Sequence, residues 1–226
     1  MKDRDVVVTG GAGALGTAVV DALLKAGARC YIPTRRAPAH SRQDPRDQVV
    51  WVPDCDLTKE EDTERLYAQV PDLWGSLHIA GGFEMGKLAD TTHDDLMHML
   101  NINFVTCFLC SKAAVRRFGD SGGRIVNVAS RPALEPRAGS GAIAYAASKA
   151  AVSALTQALA AEVASRSILV NAVAPSTINT AANRQAMPNA NFDAWPTPEQ
   201  IAQTIVFLAS PQNQATSGAV LPIFGR

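Results

Sequence analysis

The chain has 226 residues, with 21 basic side chains against 21 acidic ones, so it lacks the positive excess of a nucleic-acid-binding surface. It is long enough to bury one substantial core, no apolar run reaches membrane-spanning length, and four cysteines are too few for a disulfide framework. The short polar start, "MKDRD", predicts no secretory leader, and the profile as a whole predicts a cytoplasmic protein.

Apolar, β-branched residues at 6–9 predict a first strand. "TGGAGALG" follows at 9–16, then a helix over 14–26 with Leu15, Val19, Ala22, Leu23 and Ala26 at helical spacing. Strand, glycine turn, helix is the setting a dinucleotide fingerprint requires. The glycines let backbone approach a pyrophosphate, and the helix start presents free N–H groups and a positive dipole end. Three patterns overlap here. Gly11, Gly13 and Gly16 read as G-x-G-x-x-G. Thr9, Gly10, Gly13 and Gly16 read as T-G-x-x-G-x-x-G. Gly10 and Gly16 also fit T-G-x-x-x-G-x-G, with Ala14 in place of the middle glycine.

Further strands are predicted at 29–33, 49–53, 77–80, 124–129, 168–174 and 219–223, and further helices at 59–70, 94–101, 104–118, 146–165 and 198–209. The polar, proline-containing stretch 37–47 reads as a loop, and 180–197 reads as irregular because it lacks a clean period. This alternation predicts an α/β fold: a doubly wound parallel sheet of seven strands with helices on both faces. No break in composition marks a second domain, so 1–226 reads as one. Cys107 and Cys110 form C-x-x-C inside an apolar helix with no second pair, which points to packing rather than metal or redox work. His93 and His98 are five apart in a polar helix and do not share a face, so no metal site is predicted there.

"YAASK", Tyr145 to Lys149, places Tyr and Lys one helical turn apart on one face. A tyrosine hydroxyl titrates near 10 and is a poor base at neutral pH, but a nearby ammonium favours its phenolate. Such a pair can give a proton to a forming alkoxide or take one from an alcohol. Ser130 ends the strand "RIVNVAS", where a hydroxyl suits either a substrate oxygen or a turn.

In order, "TGGAGALG", "IAGG", "NIN", "RIVNVAS", "YAASK" and "LVNAVAPSTINT" resemble the short-chain dehydrogenases/reductases over nearly the whole chain. That resemblance implies a single Rossmann domain that moves hydride between NAD(H) or NADP(H) and a carbonyl or alcohol carbon. Carried onto this sequence, it implies a tetrad of Asn103, Ser130, Tyr145 and Lys149. Tyr145 is then the acid/base, and Lys149 lowers its pKa and binds the nicotinamide ribose. Ser130 orients the substrate oxygen, and Asn103 holds a water that relays protons to Lys149; a helix-capping or kink role is the other reading of Asn103. It further implies cofactor contacts at Gly10, Gly13, Ala14, Leu15, Gly16, Ala80 and Gly81. Asp56 and Leu57 match adenine-contacting positions, with N-capping as the plainer role for Asp56 or Thr58. Pro175 opens "PST", which replaces the commoner Pro-Gly, and Ile178 and Thr180 match positions touching the carboxamide and pyrophosphate.

Departures bear on the subtype. Ala14 shifts the glycine spacing toward the longer branch of epimerases and dehydratases, but about 46 residues after Thr180 are too few for that branch's extra domain. "LHIAGG" lacks the paired asparagines usual before Ala-Gly. "GALG", "AGGF" and "NRQAMPNANFDAW" at 183–195 resemble dihydropteridine reductases and fall where the family carries its substrate lid, near 180–197, with Met187, Phe192 and Trp195 as pocket wall or packing.

At the ribose 2′-position NAD-dependent folds carry an acid, whereas this chain offers Thr34, Arg35 and Arg36, which suit a phosphate. NADP(H) is therefore the expected cofactor, with NAD(H) second. The expected activity is reduction of a small carbonyl compound or oxidation of the alcohol. A pterin reductase and a non-catalytic NADP(H) sensor are the alternatives. The resemblance implies pairing of the helices that carry Cys107 and Lys149 across subunits, hence a homotetramer, with a dimer next; neither nucleic acid nor membrane is an expected partner.

Overall fold

The computed structural model describes residues 1–36 and 48–226, so the loop predicted at 37–47 lies outside the described residues. Among the described residues, seven short runs of β-formers make strands: β1 (Asp5–Thr9), β2 (Arg29–Pro33), β3 (Val49–Val52), β4 (Leu73–His78), β5 (Gly123–Val128), β6 (Ile168–Pro175) and β7 (Val220–Ile223). All pair in parallel, in the order β3-β2-β1-β4-β5-β6-β7. Parallel pairing needs crossovers, and the connections carry helices α1 (Ala14–Lys25), α2 (Glu60–Ala68), α3 (His93–Leu100), α4 (Thr106–Arg117), α5 (Arg131–Leu134), α6 (Ile143–Glu162), α7 (Ala181–Ala186) and α8 (Pro198–Ala209).

Side chains alternate across a strand, and the two faces of β1 show the result. Val6 and Val8 pack with Leu15, Val19 and Leu23 of α1 and Ile201, Ile205 and Leu208 of α8. Val7 points the other way, into a layer with Leu66 and Tyr67 of α2 and Cys110, Ala113 and Ala114 of α4. Both faces are thus covered, as the doubly wound reading requires. Strand order reverses between β1 and β4, and the crevice at the carboxyl ends of the strands beside that switch is where such sheets bind ligands.

Boundaries differ from expectation for local reasons. β4 begins at Leu73 rather than 77. Gly75 and Ser76 obscure the apolar run, yet Trp74 is 7% exposed and donates through Nε1 to Ala209 O at 2.8 Å, with the Arg4 and Arg124 guanidiniums 4.0 and 5.0 Å from its ring. The helices predicted at 94–101 and 104–118 are one column: a π-helical turn, Asn101–Val105, joins α3 to α4. α6 starts at Ile143 instead of 146 and stops at Glu162 instead of 165, where a short turn takes over. The stretch 180–197 contains α7 and a turn at Phe192–Ala194, each too short to register as a period but set by side-chain caps from Thr180 and Asn191.

Candidate active site

The cradle is built where β1 meets α1. Gly10 takes φ +67°, and a Cβ there would stand 2.8 Å from Ala80 N. A Cβ on Gly16 would stand only 2.0 Å from Gly10 O, so the turn closes on itself only with glycine at that position. Gly13 is the N-cap of α1, which has no side-chain cap and no acid in its first turn. Its leading N–H groups are therefore left for an anion. Ala14 already lies in the helix, where the missing family glycine is not needed. Leu15 is buried in the core. Thr9 Oγ1 accepts from Ile79 N and Ala80 N at 3.0 and 3.1 Å, which buttons the end of β1 to the chain leaving β4.

At the ribose end, Thr34 follows β2 and is half-buried, while Arg35 and Arg36 are exposed. Thr34 O accepts from Cys55 N, which brings Asp56 alongside. Asp56 Oδ1 accepts from Thr58 N and Thr58 Oγ1 at 3.0 and 2.7 Å. Those two bonds, with Lys59 and Arg35 nearby, hold the carboxyl below the usual carboxylate range. The plainer, turn-forming role of Asp56 is thus realised. Leu57 is half-buried against the core layer of α2.

Two of the expected tetrad residues, Asn103 and Lys149, meet at Gly81. A Cβ on Gly81 would lie 2.5 Å from Asn103 Oδ1 and 3.3 Å from Lys149 Nζ, so glycine lets the chain pass over both. The Asn103 side chain is fully engaged: Oδ1 accepts from Gly82 N at 3.0 Å, and Nδ2 donates to Gly82 O and Ser148 Oγ, each at 3.1 Å. It clamps the loop after β4 to α6. It also sits within the π turn, so the kink reading and the site reading coincide. Lys149 is 5% exposed and donates to Val128 O at 2.8 Å; burial pulls its pKa down to about 8.

Tyr145 opens the same helix, with Phe83 edge-on to its ring at 4.9 Å and 83°. Its hydroxyl departs from expectation. Burial is the largest influence and raises its pKa; the lowering influence comes from Ser130, not from Lys149. The ammonium is engaged with Val128 O, so the phenol stays protonated. Ser130 Oγ is 4% exposed at the residue level, close enough to Tyr145 to favour its phenolate, yet without a hydrogen bond of normal geometry. A buried hydroxyl left unpartnered is costly, and a ligand oxygen would satisfy it. Beyond β6, Pro175 ends the strand, Ile178 packs on the core and Thr180 caps α7 through Asn183 N. Glycine cradle, uncapped helix start and orphaned Ser130 hydroxyl together fit a dinucleotide beside a small polar substrate. Sequence reading gave no role to Gly82, Phe83 or Ser148, although they lie within "IAGG", "AGGF" and "YAASK".

Behind the tetrad lies a buried polar chain. Tyr67 Oη meets Ser76 Oγ at 2.5 Å, Ser76 Oγ meets His78 Nε2 at 2.8 Å, and His78 Nδ1 meets Asn127 Oδ1 at 2.7 Å. Asn127 Nδ2 donates to Thr156 Oγ1 at 2.8 Å, and the Cys107 thiol to Asn127 Oδ1 at 3.3 Å. A proton on His78 Nδ1 satisfies every group. Cys107 and Cys110 are both buried and free, as packing predicts. His93 and His98 lie on the exposed helix, beside Asp94 and Glu84 at 3.5 and 3.6 Å.

Burial takes the His78 pKa down to about 4, with the Asn127 bond opposing. An unfolded histidine titrates near 6.5, so the unfolded chain binds the extra proton first as pH falls. The contribution is complete above about pH 6.5 and is lost as pH drops toward 4, which removes a few kcal/mol. Urea titrations should show the wild-type midpoint falling from pH 7 to pH 5, and His78→Gln should start lower but fall less. Equal slopes in the two proteins would rule this origin out.

The sequence profile of the family described as short chain dehydrogenase matches residues 4–191. Carbonyl reductase family member 4 of Danio rerio is 30% identical, covering 98% of this chain and 97% of its own. Galactitol 2-dehydrogenase of Rhizobium johnstonii is 33% identical, covering 96% of this chain and 92% of its own. Among solved structures, a variant of ElxO with NADPH bound superposes with a TM-score of 0.87 at 26% identity, over 98% of this chain and 97% of that one. The likeness of 183–195 to pteridine reductases draws no support from these relatives. Among the described residues, no helix is long and apolar enough to cross a membrane.

Proposed function

The chain belongs to the short-chain dehydrogenase/reductase family, and from that premise we propose that this oxidoreductase interconverts a small organic carbonyl and its alcohol, with NADP(H) preferred over NAD(H). The observation that carries this reading is the buried, unpartnered Ser130 hydroxyl beside a protonated Tyr145 and one helical turn from Lys149. Ser130 donates to the substrate oxygen and sets its distance from Tyr145. Tyr145 then gives its phenolic proton to that oxygen as charge develops there. With a pKa of about 8, Lys149 is mostly charged at neutral pH; held by Val128 O in this state, it would have to turn toward Tyr145 to stabilise the phenolate left behind. A reduced nicotinamide, when bound, supplies the hydride.

Gly10, Gly13, Ala14, Leu15 and Gly16 would line the pyrophosphate, mainly through backbone. Ala80, Gly81, Pro175, Ile178 and Thr180 would flank the nicotinamide side, and Asp56 and Leu57 the adenine. The Asn103 side chain is spent on Gly82 and Ser148, so the relay water falls to its main-chain oxygen. We assign 180–197 as the substrate lid of a single domain. We assign a homotetramer, with a dimer next; the exposed Phe108 on α4 supports pairing of that helix with a second copy. Four buried free thiols suit the reducing cytoplasm.

The test is a panel of aldehydes and ketones with NADPH, followed by loss of nicotinamide absorbance. Turnover with any member, abolished by Tyr145→Phe, supports the reading. Tight NADPH binding without turnover across the panel would assign the fold to cofactor sensing instead.

A further inference from the structure

We propose that Phe224 and Gly225 are positioning residues that fasten the far half of the lid to the strand end beside Ser130; the inference rests on reading 180–197 as the lid. The chain leaving β7 is held twice by Ser176, whose N–H donates to Ile223 O at 3.1 Å and whose hydroxyl donates to Phe224 O at 2.9 Å. Arg131, next to Ser130, places its guanidinium 5.0 Å from the Phe224 ring centre. Gly225 then turns with φ +84°, and a Cβ there would fall 2.0 Å from Ala194 O. That close approach lets Arg226 N donate to the same carbonyl at 3.2 Å.

Asn179 holds the other side of this half-lid. Its N–H donates to Pro196 O at 2.9 Å and its Nδ2 to Phe192 O at 3.1 Å. The Phe192 and Trp195 rings pack on each other at 5.1 Å, so these two expected lid residues form a unit. Beside this unit lies an open pocket of about 530 Å³, lined by Phe192, Trp195, Phe224 and Arg226 among others. A segment that borders an open pocket lacks packing on that side, so these tethers help decide where it stands. One support, Phe224, therefore serves both the segment carrying Ser130 and the lid. Closing motion is left to α7 and Met187, which is 40% exposed.

Gly225→Ala puts a methyl group where Ala194 O stands, in a backbone conformation that L residues rarely adopt. Phe224→Ala removes the ring under Arg131, and Phe224→Tyr keeps it. Hydrogen exchange on the full chain without ligand should rise about tenfold at 187–195 in Gly225→Ala and Phe224→Ala, with β1 to β6 unchanged. For the best carbonyl of the panel, KM should rise about tenfold while kcat moves less than about threefold, and Phe224→Tyr should restore both. Unchanged exchange at 187–195, exchange raised evenly through the sheet, or raised local exchange with an unaltered KM would each overturn the proposal. The exchange arm needs no substrate, so a wild type inactive on every carbonyl counts against the proposed reaction alone.

Discussion

Tyr145→Phe should lower kcat/KM by about a hundred- to ten-thousand-fold, the usual contribution of a positioned general acid. The dissociation constant for NADPH should stay within about twofold, because the substitution removes one oxygen and keeps the ring. Phe83 would still meet that ring edge-on, so the local packing survives. Burial raises the pKa of the phenol, so Tyr145 keeps its proton across the neutral range. The measurement is steady-state turnover with every active carbonyl, alongside NADPH titration by fluorescence. Near-normal turnover with all of them would remove Tyr145 from the chemistry and leave Ser130 and Lys149 without a proton donor between them.

The second large effect belongs to the cofactor. Wild type should bind NADPH at least tenfold more tightly than NADH, since one hydrogen bond to a charged group is worth about 1.5–3 kcal/mol, or roughly ten- to a hundred-and-fifty-fold. Arg35 is exposed at the end of β2, and it already helps hold Asp56 ionised nearby. Thr34→Asp with Arg35→Ala should reverse the order. A carboxylate repels the 2′-phosphate and accepts from a free 2′-hydroxyl, while the main-chain bonds from Thr34 N to Val52 O and from Cys55 N to Thr34 O are retained. Both constants should be measured at one ionic strength, because the arginine is open to screening. Equal affinity of wild type for the two cofactors would make Arg35 a plain surface residue.

Legibility in the sequence follows the range of the interactions. β1, the glycine turn and α1 were readable because strand period, helix period and Gly16 are decided within a dozen residues. Parallel pairing and both-face burial followed from the alternation of strand and helix; the strand order itself came only with the structure. The π turn was readable only as a kink at Asn103 and not by type or extent, because its register is fixed by the grip of Asn103 on Gly82 and Ser148, 21 and 45 residues away. Tyr145, Lys149 and Ser130 were visible as residues. The electrostatic balance among them was not, because burial and the acceptor Val128 O, rather than helical spacing, determine which group keeps its proton. The His78 chain was invisible for the same reason: its partners come from α2, β4, β5, α4 and α6.

The π turn amounts to one extra residue spliced into a long helix, and that sets a phase. Each residue of an α-helix advances the side-chain direction by about 100°, so the splice offsets the faces of α3 and α4 by a fixed step of that size. Excising Ile102 would join them into one regular rod. Either Cys110, Ala113 and Ala114 would swing off the sheet, or α3 would carry Leu96 and Met97 to a new bearing. The extra residue thus lets α3 and α4 face different directions within one helical column, so that Cys110, Ala113 and Ala114 stay on the sheet while Leu96 and Met97 stay on the exposed side.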